Sequence, residues 1–248
     1  MLKFIKKGVI LRLDEALVKK HLVETRSKAK ELIKNEKVKV NKKIIKKPSF
    51  EVKENDEIEI LQKVYVSRAA WKLKNYLDKY NISFNEKRVL DIGASTGGFS
   101  EVSLEKGAKK VVCVDVGSNQ LHPKIKENTK IENFENTDIR DFKYDEKFDI
   151  VVSDVSFISL LKIIDVIDKF SKGDIILLFK PQFEVGIEVK RDKRGVVLDN
   201  EAIKKARENF EKEAKKLGWR LLRSEKSSIK GKEGNIEYIY HFIKEKND

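Results

Sequence analysis

The stretch Arg88-Val-Leu-Asp-Ile-Gly-Ala-Ser-Thr-Gly-Gly-Phe99 limits what the rest of the chain can fold into. Val89, Leu90 and Ile92 make a short apolar run that reads as a buried strand. Gly93, Gly97 and Gly98 follow as a turn where the backbone can bend tightly and approach a ligand. Phe99 then opens a helix. Strand, glycine turn and helix in this order predict a doubly wound sheet with a ligand at the carboxyl end of its first strand. The dinucleotide spacing G-x-G-x-x-G is broken, because Ser95 stands where the second glycine belongs. Asp91, two residues before the first glycine, suits instead a ligand with an amino group, such as the methionyl end of S-adenosyl-L-methionine. Asp91, Gly93, Ala94, Ser95, Gly97, Gly98 and Phe99 are the candidate cradle. A plain structural turn would look the same, so the remaining residues must decide.

Charge is spread unevenly. The 248 residues carry a net +13, and residues 1–53 hold 17 Lys and Arg against 6 Asp and Glu. Such a bias predicts a polyanionic partner for the amino-terminal fifth. The lone cysteine, Cys113, lies in an apolar strand pattern and reads as core, so no disulfide framework is expected and a reducing compartment fits. The start, Met1 to Leu11, is too broken by charge for a secretory signal, and the apolar segment 150–167 is cut by Asp154, Lys162 and Asp165. A soluble, cytoplasmic, monomeric protein is expected, with no metal site.

In the first 60 residues, Leu13, Leu17, Val18 and Leu22 keep helical spacing. Thr25 can cap a second helix that turns Ala29, Leu32 and Ile33 inward and Arg26, Lys28, Lys30 and Lys34 outward. Val38 and Val40 alternate into an Asn41-Lys42-Lys43 turn, and Ile44, Phe50, Val52, Ile58 and Ile60 continue in short β pieces. Few aromatics accompany the basic face, which favours backbone and shape contacts with structured RNA over reading of single strands. A merely solvated lysine surface is the competing explanation. The runs Arg12-Leu13-Asp14…Leu17, Thr25-Arg26-Ser27-Lys28-Ala29…Leu32-Ile33 and Val38-Lys39-Val40-Asn41 resemble the alpha-L motif, a small RNA-binding fold shared by a ribosomal small-subunit protein and many pseudouridine synthases. The resemblance implies that the second helix and the following turn touch RNA. Arg12, Arg26, Lys28, Lys30, Lys39, Lys42 and Lys43 are the candidate contacts in this small α+β domain, residues 1–60.

Residues 61–66 lack Gly, Pro and Ser and read as a short ordered linker. Residues 67–248 form the second domain. Ser67 is expected to cap a helix burying Ala70, Leu73 and Leu77, with Lys72 among them. After the glycine turn, the strand Val111–Val116 ends in Asp115, placed to meet ribose hydroxyls, with Val116 beside it. Asp138 follows a weaker third strand and can reach an adenine amino group. A fourth strand ends in Asp154, and its amphipathic helix runs through Phe170 to a stop at Gly173. The fifth strand delivers Lys180-Pro-Gln-Phe-Glu184 into a long loop bearing Lys190, Arg191, Lys193 and Arg194. These four and Arg68 are further candidate RNA contacts. Asp199 caps a last helix, and the strands 219–227 and 236–244 close the chain as an antiparallel hairpin. The expected fold is α/β, a Rossmann-like S-adenosylmethionine methyltransferase sheet with an antiparallel terminal hairpin.

Five motifs carry a closer resemblance: Val66-Ser-Arg-Ala-Ala-Trp-Lys-Leu73, Asp91-Ile-Gly-Ala-Ser-Thr-Gly-Gly-Phe99, Asp154-Val-Ser-Phe-Ile-Ser-Leu160, Lys180-Pro-Gln-Phe-Glu-Val-Gly186 and Gly234-Asn-Ile-Glu-Tyr238. Together they resemble the TlyA family of rRNA ribose 2'-O-methyltransferases, whose catalytic half is similar to FtsJ-type enzymes. The resemblance implies methylation of cytidine in ribosomal RNA or ribosomal subunits. It also implies a Lys-Asp-Lys-Glu catalytic set, falling on Lys72, Asp154, Lys180 and Glu237. The chain stops soon after Tyr238, as do the shorter family members that act on the large subunit alone, although a few extra residues precede Arg12.

A ribose hydroxyl is a poor nucleophile, so methyl transfer to it gains from a base and strict alignment. A lysine serves as base only when neutral, a state that burial and a neighbouring cation favour. Lys180, coming directly off a buried strand, is the expected base, with Asp154 holding it near the methyl donor. Lys72 and Glu237 would orient the hydroxyl and amine. Two rivals stand beside this reading. A nicotinamide-dependent reductase would want the glycine that Ser95 replaces. A non-catalytic RNA-binding or membrane-acting, haemolysin-like protein leaves four polar residues at sheet edges without a purpose.

Overall fold

A computed structural model describes residues 10–244. Most of the charge-broken start, residues 1–9, and the last four residues, 245–248, lie outside the described residues. The chain divides into two compact units, 1–64 and 65–248, with the division inside the expected linker.

In the first unit, β1 (Ile10–Arg12) leads into α1 (Leu13–Lys19), followed by α2 (Arg26–Lys34), β2 (Val38–Val40), β3 (Lys43–Ile44), β4 (Glu51–Lys53) and β5 (Ile58–Ile60). β1 pairs with β4, and β2 lies between β3 and β5, all antiparallel. Leu13, Leu17, Ala29, Leu32, Ile33, Val38, Val40 and Val52 are buried together, so the two helical stripes and the strand face close on one core. Thr25 caps α2 by accepting a hydrogen bond from the Lys28 amide at 3.2 Å. Asn41 and Lys42, at φ 48° and 68°, make a two-residue hairpin turn of the left-handed kind that matches strand twist. The Asn41 side chain makes this conformation tolerable, donating to Asp56 at 2.8 Å and accepting from the Glu57 amide at 3.0 Å.

The second unit holds α3 (Ala69–Lys79), β6 (Arg88–Ile92), α4 (Gly98–Glu105), β7 (Lys110–Val114), α5 (Pro123–Lys126), β8 (Ile131–Phe134), β9 (Phe148–Ser153), α6 (Ile164–Phe170), β10 (Ser171–Phe179), α7 (Pro181–Glu184), α8 (Asn200–Lys216), β11 (Trp219–Lys226) and β12 (Tyr238–Lys244). They build one seven-stranded sheet in the order β11-β12-β10-β9-β6-β7-β8. β10, β9, β6, β7 and β8 run parallel, and β12 and β11 close the sheet antiparallel, as the methyltransferase layout requires. Successive strand residues alternate between two cores. Leu90, Val112 and Val151 enter one with α6 and α8, while Val89, Val111 and Ile150 enter the other with α3 and α4. A strand covered on both faces reads as an unbroken apolar run, which is why β6, β7 and β9 were visible in sequence.

Two local expectations change. Ser67 does not cap α3; Arg68 holds the cap position without a side-chain bond, and the Ser67 hydroxyl lies against Gly98 instead. Gly173 does not end a helix. α6 stops at Phe170, and Gly173 sits in the irregular start of β10, where a Cβ would fall 2.5 Å from the Asp149 carbonyl oxygen.

Candidate active site

β6 has β7 on one side and β9 on the other, so the crevice at their carboxyl ends is the switch point of the sheet. A cavity of about 490 Å³ opens there. Of the expected cofactor residues, Gly93, Ser95, Asp115, Val116, Asp138 and Asp154 line it. Asp115 is fixed by two backbone amides, Ser95 at 2.8 Å and Gly117 at 2.7 Å. Asp138 accepts from the Arg140 guanidinium at 2.6 and 3.0 Å, which holds its carboxyl below the usual range. Gln120, Thr137, Ile139, Ser156, Ile158 and Ile163 complete much of the wall. Sequence reading missed these six, because loop residues carry no periodicity to mark them.

The rest of the expected cradle packs against neighbouring elements. Gly97, at φ 89°, faces α5 and the segment before it, where a Cβ would meet Leu121 Cδ1 at 2.8 Å and Ile125 Cγ2 at 3.1 Å. Gly98 lets α3 and α4 cross closely, since its Cβ would stand 3.1 Å from the Ala70 amide nitrogen. Ala94 and Phe99 are buried in the core beside α3. Asp91 does not line the cavity; it is fully buried beneath the turn. Its Oδ2 accepts from the Ser100 hydroxyl at 2.6 Å, while Oδ1 finds no hydrogen-bond partner among the described residues. Burial pushes its carboxyl up to about 7, against the weaker opposing pull of Ser100. Of the three turn glycines Gly93 lines the cavity, and a Cβ there would stand 3.0 Å from Val155 Cγ1.

At the Asp154 end of the cavity, Asp154, which is partly exposed, and the buried Lys72, Lys180 and Glu237 form a chain of alternating charge. Glu237 Oε2 lies 2.7 Å from Lys72 Nζ, which is 3.7 Å from Asp154 Oδ2, and Asp154 Oδ1 lies 2.6 Å from Lys180 Nζ. The close pairs have ion-pair distances but bent angles, so the carboxylate oxygens are not aligned as hydrogen-bond acceptors. Lys180 donates properly to the Ser156 hydroxyl at 2.8 Å and to the Asp154 carbonyl at 3.2 Å. Each member comes from a different element: α3, the ends of β9 and β10, and the residue before β12.

Three contacts hold those elements in place. Tyr76, one turn beyond Lys72, meets His241 Nδ1 at 3.0 Å, and His241 Nε2 meets Asp174 at 2.8 Å, which ties α3 to β12. Glu184 accepts from the Ser159 hydroxyl at 2.6 Å and the Leu160 amide at 2.9 Å, clamping the loop after Asp154. Asn235 accepts from the Val197 amide at 3.0 Å, tying the basic loop to the segment before Glu237. On that clamped loop Phe157 stands 91% exposed at φ 66°, at the cavity rim, with Phe183 5.2 Å away. Its place in the motif Asp154-Val-Ser-Phe-Ile-Ser-Leu160 was its sequence signal.

The expected RNA contacts divide likewise. Arg12, Arg26, Lys30, Lys42 and Lys43 are exposed on the first unit. Lys28 and Lys39 are half-buried beside Glu31 and Glu59. On the second unit Arg68, Lys190, Lys193 and Arg194 are exposed. Arg191 is half-buried, and its guanidinium donates to the Gly186, Ile187 and Val189 carbonyls at 2.8–3.1 Å, so it also braces its own loop.

The pattern of the FtsJ-like methyltransferase family matches residues 65–244, and that of the S4 domain matches residues 11–58. A protein from Campylobacter jejuni named 23S rRNA (cytidine-2'-O)-methyltransferase TlyA is 50% identical over 247 residues, covering 92% of this chain and 97% of its own. The chain belongs to the TlyA family of FtsJ-like methyltransferases. The Mycobacterium tuberculosis relative, named 16S/23S rRNA (cytidine-2'-O)-methyltransferase TlyA, is 34% identical over 92% of this chain and 88% of its own. A solved structure from Streptococcus thermophilus that bears the name hemolysin matches with a TM-score of 0.69 at 34% identity, over 95% of this chain and 88% of that one. Family membership makes this chain an enzyme with an S4 domain, and the hemolysin name is a label shared within the family. No helix among the described residues is long and apolar enough to cross a membrane.

Proposed function

We propose that the protein transfers a methyl group from S-adenosyl-L-methionine to the ribose 2'-hydroxyl of a cytidine in ribosomal RNA of the large subunit, acting as a single chain in the cytoplasm. The observation that carries this reading is the Glu237–Lys72–Asp154–Lys180 chain at the end of the cavity. The choice of the large subunit rests on the 50% identity to the Campylobacter protein named for 23S rRNA. The cavity residues fit the cofactor: Asp115 suits ribose hydroxyls, Val116 and Ile139 offer apolar walls to adenine, and Asp154 lies where the reacting end must come. When bound, the cofactor supplies a methyl group on a positively charged sulfur.

The chain's own residues do the rest. Lys180, once it has shed its own proton to solvent, takes the hydroxyl proton at Nζ; Asp154 and Ser156 fix that nitrogen in place, although the Asp154 charge opposes the first proton loss. Lys72, held by Glu237, orients the ribose oxygen. Phe157, exposed at the rim, offers a face on which the target base can stack. The S4 domain, residues 11–58, supplies salt-sensitive affinity for the RNA backbone.

The test is chemical. Large subunits treated with the protein and labelled cofactor should yield RNA with one phosphodiester resistant to alkali, because a methylated 2'-oxygen cannot attack its own 3'-phosphate. Label found on a base in alkali-labile RNA would refute the reaction.

A further inference from the structure

Asp14 is an oddity in a surface domain built to meet phosphates. It lies in the first turn of α1, is fully buried, and carries the charge that RNA repels. Three cations surround it. Arg12 donates from Nε at 3.0 Å and from Nη2 at 3.3 Å, Arg26 donates from Nη2 at 3.1 Å, and Lys30 Nζ stands 3.9 Å away. The second nitrogen of the Arg26 fork, Nη1, rests 3.0 Å from Glu15. Arg12 belongs to β1 and Arg26 opens α2, so one carboxylate fixes guanidinium groups from two elements.

A buried carboxylate needs compensation, but one arginine would provide it. Here the cations outnumber the acids, and the arginine side chains remain 43% and 48% exposed. Each guanidinium has five N–H donors in a rigid plane. The carboxylates occupy one edge of each, which leaves the remaining donors free to face a ligand. A planar fork already held in place meets a phosphate without losing further rotamer freedom.

We infer that Asp14 is a positioning residue for RNA binding, holding Arg12 and Arg26 as preset forks for backbone phosphates. This rests on the reading of the first unit as RNA-binding. Simple electrostatics makes the opposite forecast: removing a negative charge beside RNA should tighten binding. The two ideas therefore differ in sign.

The full chain and its Asp14→Asn variant should be titrated with large ribosomal subunits across a salt series, with thermal melts to establish that each is folded. Asp14→Asn weakens binding about tenfold, the cost of re-ordering two long side chains on the ligand. The slope of log affinity against log salt falls in magnitude by about one to two. In an Arg12→Ala, Arg26→Ala background, Asp14→Asn has no further effect. Unchanged or tighter binding by the folded variant overturns the inference, and so does an equal loss in the double-alanine background. If Asp14→Asn fails to fold, the Arg12→Lys, Arg26→Lys pair keeps the charge but not the forks; it should lose affinity by a similar factor, and full affinity overturns the inference. A wild-type chain that does not bind subunits overturns the RNA reading and this inference together. Binding by wild type with no loss in the variants overturns this inference alone.

Discussion

Among the described residues each unit buries one carboxylate completely, Asp14 in the first and Asp91 in the second, and the two behave in opposite ways. Burial pushes both upward. At Asp14 the hydrogen bonds from Arg12 and Arg26 outweigh burial and hold the carboxyl below its ordinary value. At Asp91 the partner is a neutral serine hydroxyl, burial prevails, and the carboxyl rises to about 7. Both are closed to solvent, but Asp14 lies shallow in the small first unit and Asp91 deep beneath its turn, so partners and depth together give a fixed anion in one place and a group that keeps its proton toward neutrality in the other. The same contrast holds for cations. Arg12 and Arg26 keep nearly half of their side-chain surface in solvent, whereas Lys72 and Lys180 are each only 6% exposed. Exposed cations can be offered to a long polyanion. Enclosed ones are paired with carboxylates at one end of the cavity.

The strongest way to break this contrast is to exchange lysine for arginine in both units. At the enclosed site, Lys180→Arg should lower methyl transfer on the order of a hundredfold or more, as should Lys180→Ala, because a guanidinium cannot give up a proton to act as base. Calorimetry should show cofactor binding retained in both. A fully active Lys180→Arg enzyme would exclude Lys180 as the base.

The carboxylates can be sharpened by pH. Asp91 has its folded value raised, so the folded state holds more protons than the unfolded state between about pH 4 and pH 7. Its stabilising contribution is therefore complete below about pH 4 and lost as the pH rises through 7. Melting temperatures of the wild type should fall across that window relative to Asp91→Asn, and parallel curves would show that Asp91 is ionised throughout. Asp14 has the opposite sign, since its lowered value gives stability that disappears as the solution is acidified.

The smallest effect belongs to the exposed hairpin turn. Lys42→Arg with Lys43→Arg keeps both charges at the tip of β2 and β3, so RNA affinity should change less than about twofold. A loss of tenfold in a filter-binding series would mean that these lysines are read as shapes and not as charges.

What the sequence determined is local. The apolar strand of Val89, Leu90 and Ile92, the Thr25 and Asp199 caps, and the turn at Asn41 each depend on a few neighbouring residues, so they were legible. The motifs around Lys72, Asp154, Lys180 and Glu237 also marked which polar residues deserved notice. Tertiary structure decided the rest. The three turn glycines look alike in sequence, yet Gly93 meets the ligand crevice, Gly97 meets Leu121 and Gly98 meets α3, because neighbours from distant segments arrive there. Asp91, the last but one residue of β6, and Asp115, just past β7, both sit near the carboxyl ends of parallel strands. One is sealed beneath the turn and the other opens to the cavity. The pairing of Lys72 with Glu237 depends on how α3 docks beside β12, through Tyr76 and His241. Backbone preference is set over a few residues, whereas burial, ion pairing and proton affinity are set by whatever the folded chain brings within a few ångströms.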